Sequence, residues 1–279
     1  MKNKLKIGLS VLLAVLTVAG SVGLWVWQNH SHLRLIEGKL QLHFIDVGQG
    51  DAALLVLPTG ERIMIDTGTE ESGEAILSHL AKWDVAALDL VILSHNHDDH
   101  AGGLPLLAET MPIGGVLYAG EAPGDYDLEM REVKAGDSFT IGDADFAVLG
   151  PLAAEESENR SMILRIDYGE LSFLFTGDAE AEEEELLLEQ MAGLLDVDLL
   201  KVAHHGSAYS STDAFLQAVS PEIAVISASA DNNFGHPAPT TVEKLKSLGA
   251  MVYRTDRQGS LVILSDGKTL TRYRSTWRF

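Results

Sequence analysis

From residue 39 onward, short apolar runs alternate with segments of helical period. Lys39-Leu40-Gln41-Leu42-His43-Phe44-Ile45 alternates residue by residue, as an edge or outer strand does. The tight turn Asp46-Val47-Gly48-Gln49-Gly50-Asp51 follows. Ala52 to Leu57 and Arg62 to Asp66 then read as a hairpin around Pro58-Thr59-Gly60-Glu61. A helix is predicted at about 72–82, and Leu88-Asp89-Leu90-Val91-Ile92-Leu93 is short and apolar enough to be a buried strand. Further helices are predicted at about 100–108, 179–191 and 240–248. The isolated histidines His43 and His79 read as packing or surface residues.

The order of elements recurs. A shift of 109 residues carries Leu55, Gly60, Glu61, Thr67 and Gly68 onto Leu164, Gly169, Glu170, Thr176 and Gly177 without a gap. It then carries Asp89, Leu90 and His95 onto Asp198, Leu199 and His204. Each copy runs strand, hairpin, helix, strand, and ends in a histidine at a strand terminus. Two such halves face to face give a sandwich of two sheets with helices outside and a site where the loop sets meet.

The first 38 residues are of another kind. Lys2, Lys4 and Lys6 form a basic tail over 1–6, and an uncharged stretch from Ile7 to Trp27 follows, long enough as a helix, about 30 Å, to cross a bilayer. The flanking lysines place the amino terminus in the cytoplasm and the rest outside, with 28–38 as a linker. The alternative is a cleaved signal peptide with Val18-Ala19-Gly20 as the small-residue site, and a secreted chain.

Charge and cysteine usage narrow the chemistry. The chain has 20 Lys and Arg against 41 Asp and Glu, a formal net charge of −21, the wrong sign for a nucleic-acid platform. Much of the acid is local, in Glu155-Glu156 with Glu158 and in Glu180 with Glu182-Glu183-Glu184-Glu185. The second cluster opens a predicted helix, where carboxylates favour the positive end of the dipole. With no cysteine, disulfides and thiolate ligands are excluded, and any metal is held by nitrogen and oxygen.

Ser94-His95-Asn96-His97-Asp98-Asp99-His100-Ala101-Gly102-Gly103 supplies such ligands densely. The stretch leaves a sheet at a strand's carboxyl end, where open α/β sheets place their chemistry. His95, His97, Asp99 and His100 can serve two metals from this loop, with the glycines letting the next helix pack closely. Asp178, ending Ser172-Phe173-Leu174-Phe175-Thr176-Gly177, can bridge two divalent ions through its two oxygens; its other reading is a helix N-cap. The repeat favours His204 over His205 in Ala203-His204-His205-Gly206-Ser207, leaving His205 to point away or touch substrate, although the doublet can also bind through its second member. His236, before Pro237, is either a proton donor or phosphate contact, or a surface-loop residue.

The Ser94–Gly103 stretch resembles the H-x-H-x-D-H signature of the metallo-beta-lactamase superfamily, and Asp178 and His204 fall in its order. Asp46 to Asp51, Asn159-Arg160-Ser161, Phe175 to Asp178, His204 to Ser207 and Gly235-His236-Pro237 together resemble the extracytoplasmic hydrolase domain of ComEC-type DNA-uptake proteins, over roughly residues 40–265. The resemblance implies a four-layer αββα sandwich of two similar halves over 39–279. It implies two divalent ions, Zn²⁺ or Mn²⁺: one on His95 and His97, the other on Asp99, His100 and His204, with Asp178 bridging. A water activated there would be the nucleophile, Asp99 a proton acceptor and His236 a proton donor to the leaving oxygen. Asn159 and Ser161 stand where most members supply a further histidine, so the resemblance implies a first metal position that is oxygen-rich, weaker or empty. Asp46 and Asp51 belong to the motif without an assigned role. DNA or another phosphodiester is the implied substrate. A small phosphodiester, a surface ester or a lactam, and a non-catalytic metal-binding accessory role, are the alternatives. A basic strip of Arg160, Arg165, Lys201, Arg254 and Arg257 is the expected offset to the acidic surface.

Overall fold

A computed structural model describes residues 35–152 and 160–273. The predicted span at 7–27, the basic tail before it, most of the linker and Asn159 lie outside the described residues. Among the described residues no helix is long and apolar enough to cross a membrane.

The chain builds two sheets. β1 (Leu40–Phe44), β2 (Ala52–Val56), β3 (Arg62–Thr67), β4 (Leu90–Leu93), β5 (Val116–Tyr118) and β6 (Met130–Glu132) lie in one sheet with the late strands β14 (Leu261–Ser265) and β15 (Leu270–Arg272). Its order is β15-β14-β1-β2-β3-β4-β5-β6. The second sheet holds β7 (Ser138–Ile141), β8 (Ala144–Gly150), β9 (Ile163–Tyr168), β10 (Leu171–Phe175), β11 (Leu199–Lys201), β12 (Ile223–Ile226) and β13 (Met251–Arg254), ordered β13-β12-β11-β10-β9-β8-β7.

Strand alternation sorts the apolar side chains into three layers. Leu55, Ile63, Ile65 and Ile92 from one sheet meet Phe146, Leu164, Phe173 and Phe175 from the other, forming the central core. Their sequence neighbours Leu54, Met64, Val91 and Leu93 point the opposite way, onto α1 (Gly73–Lys82) and α3 (Leu104–Thr110). The mirror layer packs Ile163, Leu174 and Leu200 against α4 (Ala181–Gln190), α5 (Asp213–Val219) and α6 (Pro239–Ser247). The result is the expected αββα sandwich.

The two halves share connectivity. β2 and β3 are antiparallel and β3 continues parallel to β4; β9 and β10 are antiparallel and β10 continues parallel to β11. The 109-residue shift carries β3 onto β10 and β4 onto β11. Two expectations are corrected. β1 is not an edge or outer strand: it lies between β14 and β2 with all five residues buried, because its polar positions Gln41 and His43 are covered instead of solvated. The helix expected at about 100–108 is two short helices, α2 (Asp98–Ala101) and α3, divided at Gly102-Gly103. A Cβ on Gly103 would collide with the Thr67 carbonyl oxygen, so this junction presses the metal loop onto the end of β3.

Candidate metal centre

Loops leaving the carboxyl ends of β3, β4, β10, β11 and β12 converge at one end of the sandwich. The β3 end contributes Asp66, a residue that sequence reasoning placed only in the hairpin. Asp66 is buried and takes the Ser94 backbone N–H at 2.7 Å and the Ser94 hydroxyl at 2.8 Å. Its Oδ2 also lies 2.9 Å from His100 Nδ1. A carboxylate on Nδ1 leaves the other nitrogen, Nε2, to face the site, the arrangement found behind metal-binding histidines. The signal for it was an aspartate closing an apolar strand just before Thr67-Gly68, the pair that the repeat matches to Thr176-Gly177.

His100 Nε2 faces Asp178 Oδ1 at 3.1 Å, and His205 Nε2 lies 3.1 Å from Asp99 Oδ2 and 3.6 Å from Asp178 Oδ1. Asp99, His100, Asp178 and His205 thus offer ligand atoms all within 4.8 Å of one another. His95 stands beside them, its ring centroid 4.2 Å from that of His100 and 4.4 Å from that of His97, which is exposed at the mouth. The Ser161 hydroxyl accepts the Asp178 backbone N–H at 2.9 Å and lies 3.2 Å from His95 Nδ1, tying the second half to the metal loop.

The histidine doublet is placed opposite to expectation. The His205 side chain is 2% exposed, with Nε2 between Asp99 and Asp178, whereas that of His204 is 22% exposed, with Nδ1 3.2 Å from Glu180 and Nε2 3.8 Å from Asp178 Oδ2. The repeat aligned strand ends correctly, but both residues adopt left-handed backbone, φ 48° at His204 and 52° at His205, so strand alternation does not continue through the doublet. Such a conformation costs a non-glycine residue about 1–2 kcal/mol and persists where tertiary contacts over-determine it. His236 lies at the rim, its ring 5.4 Å from that of His204 and stacked on exposed Phe234. Asp46 is not brought to the site: it is exposed and caps its own turn, accepting the Gly48 N–H at 3.3 Å. Asp51 lies beneath His205, its Oδ1 3.4 Å from Nδ1 of that ring. Of the five residues expected to form a basic strip, three are engaged in ion pairs: Lys201 with Asp51, Arg165 with Asp167 and Arg254 with Asp256.

The electrostatics follow from this packing. Burial pulls His100 down, but the Asp178 and Asp66 carboxylates outweigh it and hold the imidazole well above its ordinary value. Burial likewise opposes, and Asp178 and Asp51 then overcome, so that His205 is raised to about 9. Burial pushes Asp178 up, yet His100 and His205 hold it well below the usual carboxylate range. His95 is driven well below its ordinary value, first by burial and then by His100. Burial, His204 and His205 lower His236.

A cation fits this set. Among the described residues, buried His95 Nε2 has no hydrogen-bond partner, and His100 Nε2 and Asp178 Oδ1 make none of sound geometry. An unsatisfied buried polar atom costs about 1–3 kcal/mol, so convergent imidazole and carboxylate lone pairs are explained by an ion that takes them as ligands. The all-nitrogen and oxygen donor set suits a divalent metal.

Comparison with known proteins agrees. The metallo-beta-lactamase superfamily model matches residues 45–230. The chain is 32% identical over 259 residues to ComE operon protein 3 of Bacillus subtilis, covering 81% of this chain and 33% of that protein. It is 34% identical over 251 residues to competence protein ComA of Neisseria gonorrhoeae, covering 89% of this chain and 35% of that one. The chain therefore spans about a third of the length of these relatives. The metallo-beta-lactamase fold protein YhfI of Bacillus subtilis superposes with a TM-score of 0.58 at 12% identity, over 81% of this chain and all of that one, which shows the fold. Two sheets between helical layers, a histidine–aspartate loop at the β4 end and the match over 45–230 lead to one assignment: the chain belongs to the metallo-beta-lactamase superfamily.

Proposed function

We propose that the protein is a metal-dependent phosphodiesterase acting outside the membrane, with DNA as the first candidate substrate. The observation that carries the hydrolase reading is the convergence of Asp99, His100, Asp178 and His205 on one point with buried lone pairs unsatisfied. In this reading His95 and His97 would hold one divalent ion, Asp99, His100 and His205 would hold another, and Asp178 would serve both. Divalent ions held by these residues would supply Lewis acidity towards a phosphoryl oxygen and would acidify a water. Asp66 and Ser94 orient His100; Ser161 fixes Asp178 and His95. Asp99, half-buried and facing the mouth, is placed to accept a proton, and His236 at the rim to deliver one to the leaving oxygen. The likeness to competence protein ComA of Neisseria gonorrhoeae, taken with the resemblance of the sequence motifs to ComEC-type DNA-uptake proteins, supports DNA as the substrate.

A second reading, hydrolysis of a small phosphodiester, is favoured by the charge distribution. With net charge −21 and with Arg165, Lys201 and Arg254 engaged in ion pairs, the surface offers a long polyanion little attraction. Metal-stripped protein reloaded with Mn²⁺ or Zn²⁺ and offered single-stranded DNA, double-stranded DNA, bis-p-nitrophenyl phosphate and a chromogenic cephalosporin separates the readings. Cleavage of DNA and the aryl diester supports the first. Cleavage of the aryl diester alone supports the second, and cleavage of the cephalosporin alone contradicts both.

A further inference from the structure

The ammonium of Lys201, the last residue of β11, is buried. It lies 2.6 Å from Asp51 Oδ2 and 3.1 Å from the Val202 carbonyl oxygen. A buried ammonium without a counter-charge costs several kcal/mol, so Lys201 and Asp51, 150 residues apart in sequence, stand or fall together.

Asp51 is fixed from the other half as well. Its backbone N–H donates to the Asp99 carbonyl at 3.0 Å and its carbonyl accepts the Gly68 N–H at 2.8 Å. Gly50 makes that approach possible: at φ +148° a Cβ would lie 2.6 Å from the Asp99 carbonyl oxygen. The second carboxylate oxygen of Asp51 then reaches His205 Nδ1 at 3.4 Å, and the Ser227 carbonyl lies 3.2 Å from that nitrogen. His205 needs such holding, because its left-handed backbone is locally unfavourable and leaves the ring's direction to tertiary contacts.

We propose that the buried Lys201–Asp51 pair positions His205. Lys201 fixes the Asp51 carboxylate. Asp51 and the Ser227 carbonyl then hold Nδ1, so that Nε2 is presented to Asp99 and Asp178. The inference rests on the reading of His205 as a metal-binding residue, and makes Lys201 and Asp51 positioning residues.

The test separates positioning from mere stability. Asp51→Leu/Lys201→Met removes both charges and leaves neither unpaired; Lys201→Met alone strands Asp51. Measured on the full chain, the single variant unfolds at a lower temperature than wild type, and the double variant recovers much of the loss. Zn²⁺ affinity, read by competition with a chromophoric chelator, nevertheless falls about 10–100-fold in the double variant, the size expected when the support behind a ligand is removed. Crystals of the metal-free double variant show the His205 ring turned away from Asp99. Wild-type affinity, or an unmoved ring, in the double variant overturns the proposal. If that variant does not fold, Asp51→Asn is read by the same two measurements against the same criteria. Should wild-type protein bind neither Zn²⁺ nor Mn²⁺, the proposed function fails, and the ring position alone decides the positioning role.

Discussion

Two groups of histidines are packed inside this molecule, and burial meets different neighbours in each. On β1, His43 is 0% exposed, with Nδ1 3.1 Å from His79 Nε2 and its ring edge-on to Trp83 at 4.6 Å. Burial and then His79 drive His43 well below its ordinary value, and burial and then Lys82 lower His79 to about 4. At the metal centre His100 and His205 are as deeply buried, yet their carboxylate neighbours hold both above the ordinary value. Carboxylate neighbours, not depth, set His100 and His205 apart from His43, whereas His95, buried in the same cluster, is lowered as His43 is.

The largest effect that sharpens this contrast is on turnover. Asp178→Ala and His205→Ala each reduce hydrolysis of bis-p-nitrophenyl phosphate to background, whereas His43→Phe leaves it unchanged. Equal losses at all three positions would erase the distinction. Asp66→Asn acts more mildly, since it weakens only the support behind His100. A 10–100-fold loss of metal affinity is expected, measured by chelator competition. The packing pair has its own signature in stability. A histidine whose folded value is depressed is neutral in the native state and protonates first in the unfolded chain, so stability is lost as pH falls. For His79 the window runs from about 6.5 down to about 4, at about 1.4 kcal/mol per pH unit. Urea unfolding across that range should show the slope, and His79→Phe should flatten it. The smallest effect is expected at His204. His204→Ala lowers turnover only a few-fold, because its ring is at the rim; a loss matching His205→Ala would contradict the placement of the doublet.

Much of this was legible in the sequence because strands and metal loops are local. The run from Leu88 to Leu93 followed by three histidines and two aspartates marked a strand end and a candidate ligand loop, and the repeat matched β3 and β4 to β10 and β11. What escaped depends on tertiary placement. Alternation in β1 reads as one solvated face, and nothing local reports that α1 and Trp83 cover His43. The choice between His204 and His205 turned on two consecutive left-handed residues, which residue spacing cannot register. Asp66 is hidden near the end of an apolar strand, one residue before Thr67 closes it. Lys201 reads as a surface cation until Asp51, far away in sequence, is brought beneath it.

The buried imidazole–carboxylate cluster, read as a divalent metal centre that drives hydrolysis, can be tested by metal uptake. Its most direct test is to titrate Mn²⁺ or Zn²⁺ into metal-stripped full-length chain while recording bound metal and bis-p-nitrophenyl phosphate hydrolysis together. The account predicts no hydrolysis without metal, activity that rises with bound metal and saturates, and neither uptake at this site nor activity in Asp178→Ala. Hydrolysis by the stripped protein, or wild-type metal uptake and activity in Asp178→Ala, would contradict it.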